Sequence, residues 1–314
     1  MAVDRSTGDR TVASYVALHR SGELRRRAET AVADLASCRV CPRRCGVDRL
    51  SRATGKELGF CRTGRYARVA SFGPHYGEEA PLVGQGGSGA IFFSRCNLDC
   101  VYCQNWDISH QDAGDELGPK EIATIMLRLQ RIGCENINLV SPSHVVPQIL
   151  EALDVAASAG LTLPLVYNTG GYDTVETLKL LDDVVDIYMP DAKYADEDTA
   201  ANLSGVRDYV AFNRGALREM YRQVGDLLMD TRGVAVRGLL VRHLVLPGGL
   251  AGTKEVMDFL AQELLPGTYV NVMNQYRPAG LAGRYTGLDR RPTIRECREA
   301  AEAARAAGLY RLDR

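Results

Sequence analysis

The sequence lacks the features that mark membrane proteins and nucleic-acid-binding proteins. No uninterrupted apolar run approaches the roughly 18 to 20 residues that a membrane-spanning helix requires, so we expect no membrane partner. Basic residues are not in excess, since 38 Lys and Arg stand against 39 Asp and Glu and give a formal net charge of -1. Because binding to phosphate backbones needs an excess of Lys and Arg, we expect no nucleic-acid partner.

An apolar signal-peptide core is also missing, because residues 1–10 are polar. We therefore expect a cytoplasmic protein, and disulfides are rare in that compartment. The nine cysteines are accordingly expected to be metal ligands wherever they cluster. The chain has 314 residues, 46% of them hydrophobic and 25% charged, which is an ordinary globular composition for one large domain or two smaller ones.

No glycine-rich turn follows the first strand-like run, as it would in dinucleotide-binding folds and classical methyltransferases. Gly84-x-Gly86-x-x-Gly89 has the dinucleotide spacing, but it precedes the strand-like run at 90–94 instead of following it. We therefore predict turns at 71–89 that lead into the first strand, and neither of those two folds.

Three closely spaced cysteines, Cys96-x3-Cys100-x2-Cys103, directly follow that first strand-like run. Thiolates this close along one loop can converge on one soft metal centre. A structural tetrahedral site wants four ligands, whereas three thiolates on a four-iron cluster leave one iron open for chemistry. The alternative is a zinc site that takes its fourth ligand from His110 or Cys134, although neither residue has a standard finger spacing.

A second cysteine group, Cys38-x2-Cys41-x3-Cys45-x15-Cys61, lies among turn-forming residues nearer the N-terminus. Four thiols that begin with a CxxC pattern predict a second metal site. Zinc and an auxiliary iron-sulfur cluster both remain open, because tetrahedral thiolate ligation serves either. The alternative is that four reduced cysteines pack as small apolar groups.

Beyond the central cysteines, apolar strand-like runs alternate with helical stretches, which predicts a parallel sheet flanked by helices. The strands are predicted at 90–94, 137–140, 163–167, 185–189, 239–246 and 269–273. The helices are predicted at 11–35, 119–132, 145–159, 175–181, 209–228, 254–264 and 292–307. Six strand-helix units are fewer than the eight that close a full barrel.

Polar residues stand at the carboxyl ends of these strands, where parallel barrels carry their functional side chains. They lie at 141–144, 168–171, 190–193 and 274–278, with His243 inside the fifth strand. Because unpaired polar groups are costly inside a barrel, we predict a functional site at this edge.

The central cysteine spacing, with Tyr102 just before the third cysteine, resembles the signature of radical S-adenosylmethionine (SAM) enzymes. The resemblance implies a 4Fe-4S cluster on the three cysteines, whose free iron chelates SAM, and reductive cleavage of SAM to a 5'-deoxyadenosyl radical. It also implies an α/β partial (β/α)6 TIM-like barrel at 86–314 with a C-terminal helix, preceded at 1–85 by an N-terminal helical, Cys-rich metal-binding extension.

Several strand-end residues resemble those of glycyl-radical enzyme activases. This resemblance implies that Lys193 neutralises the SAM carboxylate, Asp191 accepts a ribose hydroxyl and His243 donates to the nucleoside. Asn168 and Thr169 fall where the activases hold a monovalent cation, although Asn168 replaces an acidic residue there. The expected cofactor-binding set is Tyr102, Ser141, Asn168, Thr169, Asp191, Lys193 and His243.

Nearly the whole chain resembles the branch related to the pyruvate formate-lyase activating enzyme. The matching features are 21–24, 38–45, 59–61, 73–75, 77–79, 96–106 and 275–278. The resemblance implies hydrogen-atom abstraction from an unknown substrate, a small molecule or a peptide or protein as in glycyl-radical activation. It also implies an electron donor such as flavodoxin or ferredoxin. The residues expected to shape the substrate side are His75, Glu78, Glu79, Tyr276 and Arg277. The alternative function is a non-catalytic iron-sulfur or zinc binding and interaction module.

Overall fold

The computed structural model describes residues 12–51 and 55–313, so the prediction made for residues 1–10 lies outside the described residues. Helices α1 (Tyr15–Arg20) and α2 (Glu23–Ala33) begin the described chain, and the cysteine segment at 38–61 follows them. Both helices pack on the barrel helix over Val146–Ser158. The N-terminal segment therefore lies directly against the barrel.

One sheet of nine strands forms the centre of the described structure. The strands are β1 (Ala67–His75), β2 (Ser88–Phe93), β3 (Asp115–Leu117), β4 (Ile137–Val140), β5 (Leu165–Thr169), β6 (Ile187–Pro190), β7 (Leu228–Met229), β8 (Ala235–Leu244) and β9 (Tyr269–Met273). The remaining helices are α3 (Ala80–Val83), α4 (Trp106–His110), α5 (Pro119–Arg131), α6 (Val146–Ser158), α7 (Val175–Leu180), α8 (Glu197–Ser204), α9 (Tyr209–Val224), α10 (Thr253–Phe259) and α11 (Ile294–Ala306). Short helical turns lie at Asp34–Ser37, Gly55–Leu58, Pro247–Gly249, Leu260–Leu264 and Ala282–Arg284.

Six strands run parallel in the order β2, β4, β5, β6, β8 and β9, and these are the six strands that the sequence predicted. Among the described residues, no strand pairing joins β9 back to β2, so the barrel is partial. The α/β fold class with a partial six-strand barrel is confirmed. Strands β4, β5 and β6 are buried along their whole length, as expected for parallel strands covered on both faces.

The prediction of turns at 71–89 was wrong for its first part. Strand β1 covers Ala67–His75 and pairs antiparallel with β2, from Val69 opposite Phe93 to His75 opposite Ser88. Gly73 and Pro74 have low strand propensity, so the sequence does not indicate a strand here, but Pro is tolerated at a sheet edge or an irregular pairing. The proposed domain division at residues 85 and 86 stays a prediction, and β1 brings residues from before it into the barrel sheet.

Four helices also differ from the prediction, and the two shortest of them, α3 and α4, were not predicted. Helix α8 was missed, although Asp196 caps its first turn by accepting from the Thr199 amide at 2.7 Å. Helix α9 ends at Val224, four residues before the predicted end, because Gly225 adopts a φ of 67° that a helix cannot continue. The C-terminal helix α11 begins at a capping box between Thr293 and Glu296.

A second, smaller hydrophobic core packs against the central cysteine loop. It contains Leu98, Tyr102, Tyr172, Tyr194, Tyr209 and Tyr276. Tyrosines can fill such a space while their hydroxyls bond to loop atoms, which makes this core both apolar and directional. No helix among the described residues is long and apolar enough to cross a membrane, and the expected cytoplasmic location stays a prediction.

Candidate functional site

A cavity of about 400 Å³ opens at the carboxyl ends of the parallel strands. It brings together many of the residues that the sequence predicted for the site. These are Cys96, Cys100, Tyr102, Cys103, Ser141, Asn168, Thr169, Asp191 and Lys193, with His75 and Glu78 from the predicted substrate side.

Each sulfur of the central loop has a hydrogen-bonding neighbour. The Leu98 amide donates to Cys96 Sγ at 3.4 Å, and the Ser109 hydroxyl donates to Cys103 Sγ at 3.2 Å. Cys100 Sγ lies 3.0 Å from Ser204 Oγ. Donors aimed at sulfur stabilise thiolate ligands and tune the potential of a bound cluster.

Burial keeps the Cys96 and Cys100 thiols protonated when nothing else is bound. It raises the pKa of Cys96 to about 12 and that of Cys100 to about 11, and neighbouring thiols add to the rise at both. A bound metal offsets the cost of ionising these buried thiols, because its positive charge replaces their protons. Among the described residues, no group of three or more His, Cys, Asp or Glu side chains is arranged to hold a single metal ion, whereas a 4Fe-4S cluster needs only one thiolate at each iron that it ligates.

The two candidate fourth ligands for zinc are engaged elsewhere. His110 stacks on Trp106 with 3.6 Å between ring centroids, and its ring nitrogens contact Ser109 Oγ and Asp99 Oδ1. Cys134 is fully buried in the main core. The four-ligand zinc alternative at the central loop therefore finds no support in the positions of these residues.

An ion pair forms the wall at the end of β6. Lys193 Nζ lies 2.5 Å from Asp191 Oδ2, and both side chains are largely buried. Burial opposes the charge of Lys193, but Asp191 outweighs it, so the pKa of Lys193 lies well above its ordinary value. The Tyr209 hydroxyl holds the segment by accepting from the Lys193 amide at 3.1 Å. A buried, paired ammonium and carboxylate can bind a zwitterionic ligand.

The ends of β4 and β5 contribute three of the predicted residues. Ser141 has a φ of 59°, an unusual conformation for a non-glycine residue, and its amide donates to the Asn168 carbonyl at 2.9 Å. The Thr169 hydroxyl is engaged inside the barrel, because it donates to Asp173 at 2.6 Å and contacts Ser143 at 2.8 Å. Ser141 and Asn168 are thus better placed than the Thr169 hydroxyl to contact a ligand.

Arg242 is a site residue that the sequence analysis missed. Its guanidinium forms an ion pair with Glu78 and donates twice to Glu79, at 2.7 Å from Nε and 2.7 Å from Nη2. It also donates to Asn168 Oδ1 at 3.3 Å. Asn271 Nδ2 reaches the same Glu79 carboxylate at 2.8 Å. A charged network that includes Glu78 and Arg242 therefore forms part of the cavity wall.

His243 is not among the residues that line the cavity, and its contact with the nucleoside stays a prediction. Successive strand residues point to opposite faces, so Arg242 faces inward on β8 and His243 faces outward. His243 Nδ1 lies 2.6 Å from the Ala192 carbonyl, and Nε2 lies 2.9 Å from Thr253 Oγ1. Burial lowers the pKa of His243 to about 4, which leaves it neutral at pH 7.

Three of the predicted substrate-side residues also lie outside the cavity lining. Glu79 is buried beneath Arg242, and Tyr276 is buried with its hydroxyl donating to the Leu288 carbonyl at 2.7 Å. The Tyr276 ring packs edge-on against Tyr102, with 5.9 Å between centroids, so it supports the cysteine loop. Arg277 is exposed away from the cavity. Of the five predicted residues, His75 and Glu78 line the cavity.

Comparison with known proteins identifies the family. The radical SAM superfamily profile matches residues 90–260, more than half of the chain and the whole of the central cysteine motif. The chain belongs to the radical SAM superfamily. Membership implies a 4Fe-4S cluster and SAM as cofactors, and the three cysteines that line the cavity have the thiol chemistry that such a cluster requires.

This radical SAM protein is also similar to individual proteins. It is 34% identical over 285 residues to an uncharacterized protein of Methanocaldococcus jannaschii, an alignment that spans 88% of this chain and 76% of that protein. Among solved structures, it is similar to HydG, a maturase of the FeFe hydrogenase, with a TM-score of 0.47 and 14% identity. That alignment spans 69% of this chain and about half of HydG, 48%.

The four N-terminal cysteines of this radical SAM protein surround a second, enclosed space. Cys38, Cys41, Cys45 and Cys61 all line it. Gly59 permits the close approach, because a Cβ there would lie 3.0 Å from Cys45 Sγ. Burial, followed by the charge of Cys61, raises the pKa of the Cys41 thiol. The fold thus brings together cysteines that are up to 23 positions apart in the sequence.

Proposed function

We propose that this radical SAM protein cleaves SAM reductively and uses the resulting radical to abstract a hydrogen atom from a substrate. The observation that supports the proposal is one shared cavity of about 400 Å³. The three cysteines, the Asp191–Lys193 pair, and Glu78 with Arg242 all line it. Cofactor ligands and a separate polar wall therefore meet across one space.

The reduced cluster, when bound, supplies the electron that cleaves the sulfonium of SAM. The residues of this chain bind and orient. Lys193 neutralises the SAM carboxylate, and Asp191 accepts from a ribose hydroxyl while it keeps Lys193 charged. Asn168 and the strained Ser141 border the same space. The buried tyrosines beneath Cys100 exclude water from the cluster, which protects a radical from side reactions.

The substrate enters on the side of His75 and Glu78. His75 is half exposed, and its Nδ1 lies 3.6 Å from Glu78 Oε1. Glu78, Glu79 and Arg242 together carry one net negative charge, so this wall favours a polar or cationic group on the substrate. We include a glycine in a partner polypeptide among the substrates, as in glycyl-radical activation, with flavodoxin or ferredoxin as electron donor. Such a reaction would leave an organic radical signal on the partner polypeptide in electron paramagnetic resonance (EPR).

We also propose a second metal, zinc or an iron-sulfur cluster, on Cys38, Cys41, Cys45 and Cys61. The support is that four thiols from two separate turns line one enclosed space. The metal at this site does not enter the proposed cleavage of SAM.

The test of the proposed activity is formation of 5'-deoxyadenosine. The protein is reconstituted without oxygen with iron and sulfide, reduced with dithionite and supplied with SAM. We expect product from the wild type and none from Cys100→Ala. Cys297→Ala is the matched control, because Cys297 belongs to neither cysteine group, and it should retain activity.

Two results separate the competing functions. If the wild type forms no product, a SAM-induced change in the EPR spectrum of its reduced cluster would indicate an enzyme that requires its substrate. If SAM does not change the EPR spectrum and no 5'-deoxyadenosine forms, the protein is a metal-binding or interaction module and the proposed activity is wrong.

A further inference from the structure

A buried arginine beside the four N-terminal cysteines lacks an anionic partner. Arg49 is 1% exposed and is the largest fully buried side chain among the described residues. Its Nη1 donates to the His144 carbonyl at 2.9 Å and lies 3.5 Å from Cys38 Sγ. Its Nε and Nη2 are buried and have no hydrogen-bond partner. A guanidinium removed from water without a counter-charge is strongly destabilising, so a partner is expected.

The surroundings of Arg49 show where the missing negative charge belongs. The enclosed space is lined by all four thiols, by apolar residues, by Asn97 and His144, and by two further arginines, Arg43 and Arg44. Among the described residues, no carboxylate lines it. Arg43 Nη2 is likewise buried without a partner. Arg44 is paired with Glu176 at 3.6 Å. Arg49 and Arg43 are therefore the positive residues of the lining whose buried donors lack a partner, and no described residue of the lining carries a fixed negative charge.

We propose that Cys38, Cys41, Cys45 and Cys61 bind metal as a tetrathiolate centre of charge -2, and that Arg49 is its built-in counter-charge. The inference rests on the second metal proposed above. Each thiol gives up one proton on binding, so four thiolates carry -4. Either one zinc ion or a 4Fe-4S core contributes +2, which leaves -2 in both cases. The free donors of Arg49 and Arg43 then bond to thiolate sulfur.

Arg43 and two other arginines connect this centre to the central cysteine loop. Arg43, between two ligand cysteines, donates from Nε to the carbonyl of Asn97 at 2.9 Å, and Asn97 directly follows Cys96. On the other side, the carbonyl of Arg62, which follows Cys61, accepts from Arg95 Nη1. Metal at the N-terminal site therefore stiffens the turns that contain Arg43 and Arg62, and these two residues contact the central cysteine loop.

The experiment isolates the second site from the first. In the full chain, Cys96, Cys100 and Cys103 are all replaced by Ala, so any remaining metal reports on the N-terminal cysteines. Iron, sulfide and zinc are measured after anaerobic reconstitution and, separately, after loading with zinc alone. One zinc per chain, or four irons with four sulfides, supports the tetrathiolate centre and distinguishes the two metals. No metal in a folded protein would overturn it.

Arg49 is then tested in the same background by the rate at which a chelator removes the metal. We expect Arg49→Met to speed removal about 10- to 100-fold, the usual effect of losing an outer-shell partner. Arg49→Lys keeps the positive charge and should speed metal removal less than Arg49→Met does. Arg39→Met is the matched control, because Arg39 lies between the same cysteines but is exposed, and it should match the parent.

Thermal unfolding supplies a second measurement. A purely structural role of Arg49 would not make the effect of its replacement change sign between the metal-free and the metal-loaded protein. In the metal-free protein, Arg49→Met removes an unpaired buried charge and should raise the melting temperature. In the metal-loaded protein, it removes the counter-charge and should lower the melting temperature. A decrease in both states, or equal rates of metal loss in Arg49→Met and the parent, would show that Arg49 is not the counter-charge.

Discussion

Arg242 offers the most stringent test of the charged wall. Its side chain is 16% exposed, and the two carboxylates that it joins are 7% exposed at Glu78 and 2% at Glu79. Replacing it in Arg242→Met keeps most of the volume but leaves two buried carboxylates without their cation. Breaking a buried ion pair from one side costs about 3–5 kcal/mol, so we expect a loss of unfolding free energy in that range near pH 7.5.

The pH dependence of that loss follows from Glu79. In the wild type, burial tends to raise the pKa of Glu79, but the hydrogen bonds and charge of Arg242 outweigh burial and hold the pKa below its usual range. Without Arg242, burial is opposed only by the hydrogen bonds from Asn271 and from the backbone of Glu79, and we expect the folded-state pKa of Glu79 to rise above the unfolded value. A group with a raised folded pKa contributes less stability as pH increases. The destabilisation should therefore be largest above neutral pH and shrink as pH falls toward about 4.5.

Urea unfolding followed by circular dichroism at several pH values measures both effects. The triple variant Arg242→Met, Glu78→Gln, Glu79→Gln removes the unpaired charges and should recover most of the lost stability. A loss below about 1 kcal/mol, the ordinary value of an exposed ion pair, would refute the argument that this wall is a buried charge network. So would a loss that does not change with pH.

Three further predictions concern the cluster loop, its supporting hydrogen bonds and a buried histidine. Ser204→Ala removes a hydroxyl donor 3.0 Å from Cys100 Sγ. Because such donors stabilise the more negatively charged reduced state, the reduction potential of the central cluster should become more negative in an EPR-monitored titration. An unchanged potential would contradict this. Cys41→Ser should lower the iron bound at the central cysteines, since Arg43 holds Asn97 from within the N-terminal group; full iron content at the central site would disprove the connection. His243 has its pKa lowered to about 4 by burial, so the unfolded chain takes up its proton first and stability falls as pH drops from about 6.5 to 4. His243→Gln should weaken this decline in urea unfolding, and an identical acid profile would count against the burial argument.

The sequence by itself determined the parts of this protein that depend on local spacing. The central cysteines lie within one loop, so their separation along the chain already limits how far apart their thiols can be. The six parallel strands were likewise predictable, because a strand buried on both faces reads as a short apolar run between amphipathic helices. The polar residues at the strand ends followed from the same argument, and Ser141, Asn168, Asp191 and Lys193 do line one cavity.

Only the tertiary structure decided which residues have partners and which face each side chain takes. His243 and Arg242 are adjacent in sequence, and a one-residue difference in strand parity turns one into the core and the other toward the cavity. Glu79 and Arg242 are 163 positions apart, so nothing local predicts their contact. Arg49 looks like any arginine in a turn, and its buried, unpartnered state arises from the packing of His144 and the cysteine turns around it. Strand parity, burial and the absence of a partner are properties of the folded chain, because each depends on residues that only folding brings together.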